Sequence, residues 1–218
     1  MTGFVFDIWS ALVLAGLAGM AAAAMWILIP RWHGIPPTAA RARWIRKALK
    51  QAQVKPGEVV VDLGAGDGRV LRIAAREFEA CAVGYEIEPL HCAVGWLAAL
   101  LSGVVTRVSI RNQDLYQADL SQADVVFLYL NPAFVKNLRQ PLRQQLPPGA
   151  RVVSLDFPIE GWEPSEVDIG YLIFSYHMPP TPGSLDTYLR RDLSLLRPLG
   201  GTRPGAEPPP SIPPSLND

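Results

Sequence analysis

Cysteine and histidine are scarce in this chain. Its two cysteines, Cys81 and Cys92, form no CxxC pair, and its three histidines, His33, His91 and His177, are scattered. A disulfide scaffold and a cysteine-built zinc site are excluded, no bound metal is expected, and the thiols fit a reducing compartment. Net charge is absent too: 20 basic residues balance 20 acidic ones. No overall basic field argues for a nucleic-acid partner. Acids are missing altogether between Asp7 and Glu58. Basic residues are missing from Met1 to Asp7, so the basic start of a secretory signal peptide is lacking.

The 218 residues suffice for one ordinary domain with appendages. Hydrophobic residues reach 49% despite 21 prolines, so apolar residues must be concentrated somewhere. One concentration is Ile8 to Ile29, an uncharged run of 22 residues. As a helix it would measure roughly 33 Å, about one hydrocarbon thickness. Trp9 at one end, and Trp26 and Trp32 near the other, suit the two interfaces. A cleaved signal peptide and a buried core helix are the competing readings; an uncleaved anchor is the one adopted. Asp7 precedes the run, whereas Arg31, Arg41, Arg43, Arg46, Lys47 and Lys50 follow it. The positive-inside rule then puts the C-terminal side in the cytoplasm, giving a single-pass protein of the cell membrane. Ala11, Ala15, Gly19 and Ala23 recur at intervals of four, a small-residue face suited to helix–helix pairing. Thr38 to Gln53 reads as a basic amphipathic helix with Trp44, Ile45, Ala48 and Leu49 on one face. It is either a foot on anionic lipid or a helix packed on the following domain, or both.

From Glu58 the pattern alternates. Strands are predicted over 58–63, 81–87, 104–113, 124–130 and 150–157, with helices over 68–78, 90–101 and 134–146 between them. Near-continuous apolar strands alternating with helices imply a parallel sheet covered on both faces. Residues 166–177 and 184–192 are expected as two further strands forming a terminal hairpin. From Ser194 the chain is rich in Pro and Gly and reads as a disordered tail.

The chemistry concentrates in Val59 to Arg69, VVVDLGAGDGR: a strand, an acid, a glycine turn and the start of a helix. Glycines let the backbone turn sharply and approach a ligand. The nicotinamide fingerprint GxGxxG fails, because Arg69 stands at its sixth position, and no GK[ST] follows to make a P-loop. Asp62 and Asp67 would repel a pyrophosphate. They suit a ligand with a cationic amine, and S-adenosylmethionine carries one together with a sulfonium. The second strand ends in Tyr85-Glu86, where a carboxylate can take both ribose hydroxyls. The third is followed by Asp114 and Leu115: the carboxylate can accept from the adenine amine, and a neighbouring backbone N–H can reach the ring. Open α/β sheets bind ligands at this carboxyl edge. Each acid alone reads as a helix cap; the trio together with DLGAGDG reads as a cofactor site.

These residues resemble a class I, seven-strand S-adenosylmethionine-dependent methyltransferase. More closely, the chain is similar to archaeal broad-specificity protein-lysine methyltransferases. It also resembles the membrane-anchored mitochondrial lysine methyltransferases acting on ATP synthase c-subunit and the adenine nucleotide translocase. The resemblance runs from about Pro36 to Met178 and rests on Pro37-Thr38, DLGAGDGR (62–69), VGYEIEP (83–89), the segment 123–151 and RVVSLDFPIEGWEP (151–164). It implies a Rossmann-like α/β sheet of seven strands with a terminal antiparallel hairpin, preceded here by one transmembrane helix. It also implies a protein substrate methylated on a lysine side chain. Asp62, Gly64, Gly66 and Asp67 would surround the methionine part, Glu86 the ribose and Asp114 the adenine, with Pro37 and Thr38 closing over the site. Asn131, in Leu130-Asn131-Pro132-Ala133-Phe134, departs from the Asn/Asp-Pro-Pro-Tyr/Phe of other amino-group methyltransferases at Ala133. It is a contact to the target nitrogen or a cap on the next helix. Asp156 is the nominated acceptor of the lysine proton or a structural carboxylate. The expected organisation is an anchor over 1–30, a basic helix and linker over 31–57, the methyltransferase domain over 58–193 and a tail over 194–218. A methyltransferase for a membrane lipid or quinone, and a non-catalytic cofactor-binding module tethered to the membrane, are the alternatives.

Overall fold

The computed structural model describes residues 10–20 and 40–196. The chain divides after Arg41 into two compact units. In the first, residues 10–20 form a helix, α1, with exposed side chains. Ala11, Ala15 and Gly19 lie on it; Ala23, the remainder of the run from Ile8 to Ile29, and Pro37 and Thr38 are outside the described residues. Among the described residues, no helix is long and apolar enough to cross a membrane.

The second unit opens with α2 (Ala42–Gln51), whose Ile45, Ala48 and Leu49 are buried. This is the apolar face expected from the sequence, and it is covered by the domain. Arg46 makes a two-pronged ion pair with Glu77, Lys47 pairs with Asp168, and Gln51 donates to Ser175 Oγ. The packed reading of this helix therefore holds.

Five strands and three helices follow: β1 (Val59–Leu63), α3 (Arg69–Glu77), β2 (Cys81–Glu86), α4 (Pro89–Leu101), β3 (Val108–Asn112), β4 (Val125–Leu128), α5 (Pro132–Gln145) and β5 (Arg151–Leu155). A 3-10 turn, Leu115–Gln117, sits between β3 and β4. The five strands are mutually parallel in the order β3-β2-β1-β4-β5. β1 and β4 are buried almost throughout, which is why both read as apolar runs without alternation. Arg151, at the start of β5, donates to the carbonyl of Ala52 and pairs with Glu58, tying α2 and the entry to β1 onto the sheet.

Beyond β5 the structure corrects the sequence reading. Residues 166–177 are not one strand but a hairpin, β6 (Glu166–Asp168) and β7 (Ile173–His177), turning at Ile169–Leu172. β7 inserts antiparallel between β5 and β6, completing a seven-strand sheet in the order β3-β2-β1-β4-β5-β7-β6. Residues 184–192, expected as a strand, belong to helix α6 (Leu185–Leu196). Ser184 Oγ accepts from the Thr187 N–H, and Asp186 pairs with Arg190 one turn on. A capping serine and a helical ion pair override the short apolar pattern. The helix also passes the expected tail boundary at Ser194; residues 197–218 are outside the described residues.

Candidate active site

The carboxyl ends of β1, β2 and β3 meet around the turn between β1 and α3. Gly64, Gly66 and Gly68 all have positive φ, at 84°, 52° and 68°. Side chains there would be strained. The turn is anchored from below: the N–H groups of Gly64 and Ala65 both donate to the Tyr85 carbonyl, at 2.9 and 3.0 Å. Gly84 lies beneath it, where a Cβ would fall 2.6 Å from both Ala65 Cβ and Leu71 Cδ1. Gly95 of α4 abuts it from the side, where a Cβ would sit 2.7 Å from Ile110 Cδ1 and 3.2 Å from the Asp67 backbone.

The expected acids occupy distinct settings. Asp62 is buried near the end of β1. Burial, reinforced by Glu86 and Asp67, pushes its carboxyl up to about 8. Glu86 is almost as buried, and its two oxygens accept from the N–H groups of Gly66 (2.8 Å) and Glu88 (2.9 Å). A carboxylate has about four lone-pair sites, so two remain. Asp114 is brought alongside, because Gln113 N–H and the Asn112 amide both donate to the Glu86 carbonyl. One oxygen of Asp114 caps the 3-10 turn by accepting from Tyr116 N–H, and Leu115 begins that turn against the core. Asp67 points the other way. It accepts from the Arg69 N–H and faces the guanidinium of Arg69 at 3.2 Å, while Arg72 bonds its carbonyl. Its charge is thus largely matched by arginines.

On the acceptor side, Asn131 caps α5: its side-chain oxygen takes the Ala133 N–H and its carbonyl the Phe134 N–H. The carbonyl also accepts from the Val135 N–H and is fully used, whereas the side-chain oxygen keeps a second lone pair, so capping and a substrate contact through the side chain are compatible. Asp156 follows β5 with φ 67°, and its N–H donates to Leu172. A non-glycine residue in this region is uncommon, although Asp tolerates it better than most. Three contributors escape the sequence reading. Gly84 and Gly95 hold the turn by having no side chain. Tyr116 stacks on Phe134, 6.4 Å between ring centroids, joining the β3 and β4 exits. The strand ends carry a legible signal, acids after apolar runs; these three depend on tertiary proximity and carry none.

The comparisons agree with this geometry. A family model of the ANTKMT methyltransferase domain matches residues 62–166. A protein-lysine N-methyltransferase of Saccharolobus islandicus (strain REY15A) is 36% identical over 134 residues, covering 61% of this chain and 83% of the relative. The chain belongs to this methyltransferase family. The adenine nucleotide translocase lysine N-methyltransferase of Mus musculus is 32% identical over 163 residues, covering 75% of this chain and 67% of the relative. Among solved structures, an RNA methyltransferase from Salinibacter ruber in complex with S-adenosyl-L-homocysteine superposes with a TM-score of 0.64 at 38% identity, covering 65% of this chain and 94% of that one. The chain is therefore an S-adenosylmethionine-dependent methyltransferase. The residues present fit that cofactor: buried acids complement an amine and a sulfonium, and glycine turns leave room where side chains would intrude.

Proposed function

We propose that this methyltransferase transfers a methyl group to lysine side chains of a protein, and that it acts from the cytoplasmic face of the cell membrane. The observation that carries the reading is the convergence of Asp62, Glu86 and Asp114 at three adjacent strand ends around one glycine turn. The relatives' acceptors support lysine as the target. Asp62 and the turn at Gly64 and Gly66 receive the methionine part, with Asp67 behind them; Glu86 receives the ribose; Asp114 and the Leu115 N–H receive the adenine. The cofactor supplies a sulfonium-bound methyl, open to in-line displacement.

The chain's own task is alignment and proton removal. A lysine has a reference pKa of about 10.4, so its neutral amine is disfavoured at pH 7 by roughly 4–5 kcal/mol. Asp156, at the exit of β5, accepts the proton, and Asn131 orients the amine at the exit of β4. Tyr116 and Phe134 form an apolar wall that limits water. The uncharged run from Ile8 to Ile29 and its basic C-terminal flank support a single-pass anchor, and the small-residue face a pairing of that helix.

A second reading, an RNA acceptor, is favoured by the Salinibacter ruber relative alone. Incubating the full chain and labelled cofactor with cell membranes, then treating with protease, ribonuclease or organic solvent, separates the acceptors. Protease-sensitive label on methyl-lysine is expected. Label lost to ribonuclease or extracted by solvent overturns the lysine reading.

A further inference from the structure

Helix α4 has an unusual surface. Its 13 residues include no Asp, Glu, Lys or Arg, and only Gly95 and Ala99 are buried. Leu90, Val94, Trp96, Leu97, Leu100 and Leu101 are all exposed, Leu101 at 79%. At 100° per residue these six span about 160° of the helix, one continuous face. Scattered exposed leucines need no explanation, but a contiguous apolar face does. Ile87, exposed at 66%, extends it to the residue after Glu86.

The other end of α4 has the opposite character. Ser102, the C-cap, lines a cleft with Arg46, Arg69, Arg72, Arg76 and Glu77. Four guanidinium groups face one carboxylate there. Even with Arg46 paired to Glu77, and Arg69 and Arg72 drawn toward Asp67, the cleft is cationic. Guanidinium groups are suited to phosphate.

We propose that the α3–α4 face docks on the surface of an anionic lipid bilayer. The apolar face of α4 sinks among the acyl chains, and the arginine cleft receives lipid phosphates. At roughly 20 Å the helix is too short to cross a 30 Å hydrocarbon core, so it lies in the plane of the interface. Trp96, on the flank of the apolar face, suits the headgroup level. An apolar peptide accounts for α4 but not for the arginines; a soluble anion accounts for the arginines but not for α4. Anionic lipid combines both chemistries. The contact is separate from the proposed anchor and puts the Glu86 end of the site beside the bilayer.

The test uses the full chain added to preformed nanodiscs of phosphatidylcholine, with or without phosphatidylglycerol. A photo-crosslinking residue, p-benzoylphenylalanine, replaces Leu97, Leu17 or Ile169 in separate variants, each first checked for cofactor binding. Lipid adducts are expected at 97 and not at 169, with roughly fivefold more at 97 in the anionic discs. Arg76→Glu should remove that excess. Adducts at 17 but none at 97 overturn this inference and leave the anchor standing. Adducts at 97 but none at 17 do the reverse. Crosslinks from 97 to the chain itself, to a second copy or to a co-purified protein overturn it, as does equal yield in neutral and anionic discs.

Discussion

Glu86 holds the Gly66 N–H at 2.8 Å through one carboxylate oxygen while the other takes the Glu88 N–H. The acid proposed to receive the ribose thus also fixes the glycine turn proposed to receive the methionine. The first prediction follows from that double role. Glu86→Ala should weaken S-adenosylmethionine binding by about 1.5–3 kcal/mol, the range of charge-assisted hydrogen bonds. Glu86→Gln keeps an acceptor for Gly66 and should lose less. Calorimetry on both variants decides: equal affinity in wild type and Glu86→Ala removes the residue from the site.

Asp62 predicts a pH dependence. Its carboxyl titrates at about 8 in the fold, against about 4 in an unfolded chain. In that interval the folded state holds the extra proton, so this group's contribution to stability falls as pH rises from about 4 toward about 8. Asp62→Asn should flatten that decline in chemical denaturation measured across pH. A cationic ligand favours the ionised acid, so cofactor binding near pH 7 should release a proton and tighten as pH rises. Calorimetry in buffers of different ionisation enthalpy reads the proton count, and Asp62→Asn should reduce it. No released proton, or the same count in the variant, refutes the assignment.

Gly95 tests the support of the turn from α4. Gly95→Ala gains helix propensity of about 1 kcal/mol but overpacks against Ile110 and the Asp67 backbone at about 1–3 kcal/mol. A net loss of stability and weaker cofactor binding are expected. Ala93→Gly, on the exposed side of the same helix, should cost stability without touching affinity. Thermal melts paired with binding measurements separate the two, and equal loss of affinity in both variants sinks the idea.

Asp156 is testable apart from folding. Asp156→Asn should lower kcat by about 10²–10⁴-fold, as expected for loss of a general base, with cofactor affinity unchanged. Asp156→Gly relieves the positive φ and should leave stability equal or raised by about 1 kcal/mol, yet lose activity equally. A wild-type kcat in Asp156→Asn, with an unaltered pH–rate profile, makes the carboxylate structural.

The alternation from Val59 to Leu155 is legible because β1, β4 and β5 are buried almost throughout and α3 and α5 each bury one apolar stripe. The strand-end acids are legible because they interrupt apolar runs just where a turn begins. Residues 184–192 mislead because DTYLRR satisfies a strand pattern as well as a helical one. Only the Ser184 cap and the Asp186–Arg190 pair decide between them. The break in 166–177 is marked by Gly170 alone, which a continuous reading passes over. Gly84 and Gly95 are unreadable in principle, since what matters is the neighbour that a Cβ would strike.

The late insertion of β7 between β5 and β6 bears on how the chain is made. The outer edge of β5 has no partner until Ile173–His177 has followed it out of the ribosome. At about 5–20 residues per second, the stretch from Leu155 to His177 takes roughly one to four seconds. Throughout that time a β-branched edge, RVVSL, offers open backbone groups to any other strand. Helix α2, already tied to Glu77 and Arg151, gains one further bond at this point, because Gln51 finds its Ser175 partner only when β7 arrives. A chain cut short before Ile173 is therefore left with a five-strand parallel sheet and a sticky margin, whereas one that reaches His177 completes the sheet and gives Gln51 its Ser175 partner in the same act.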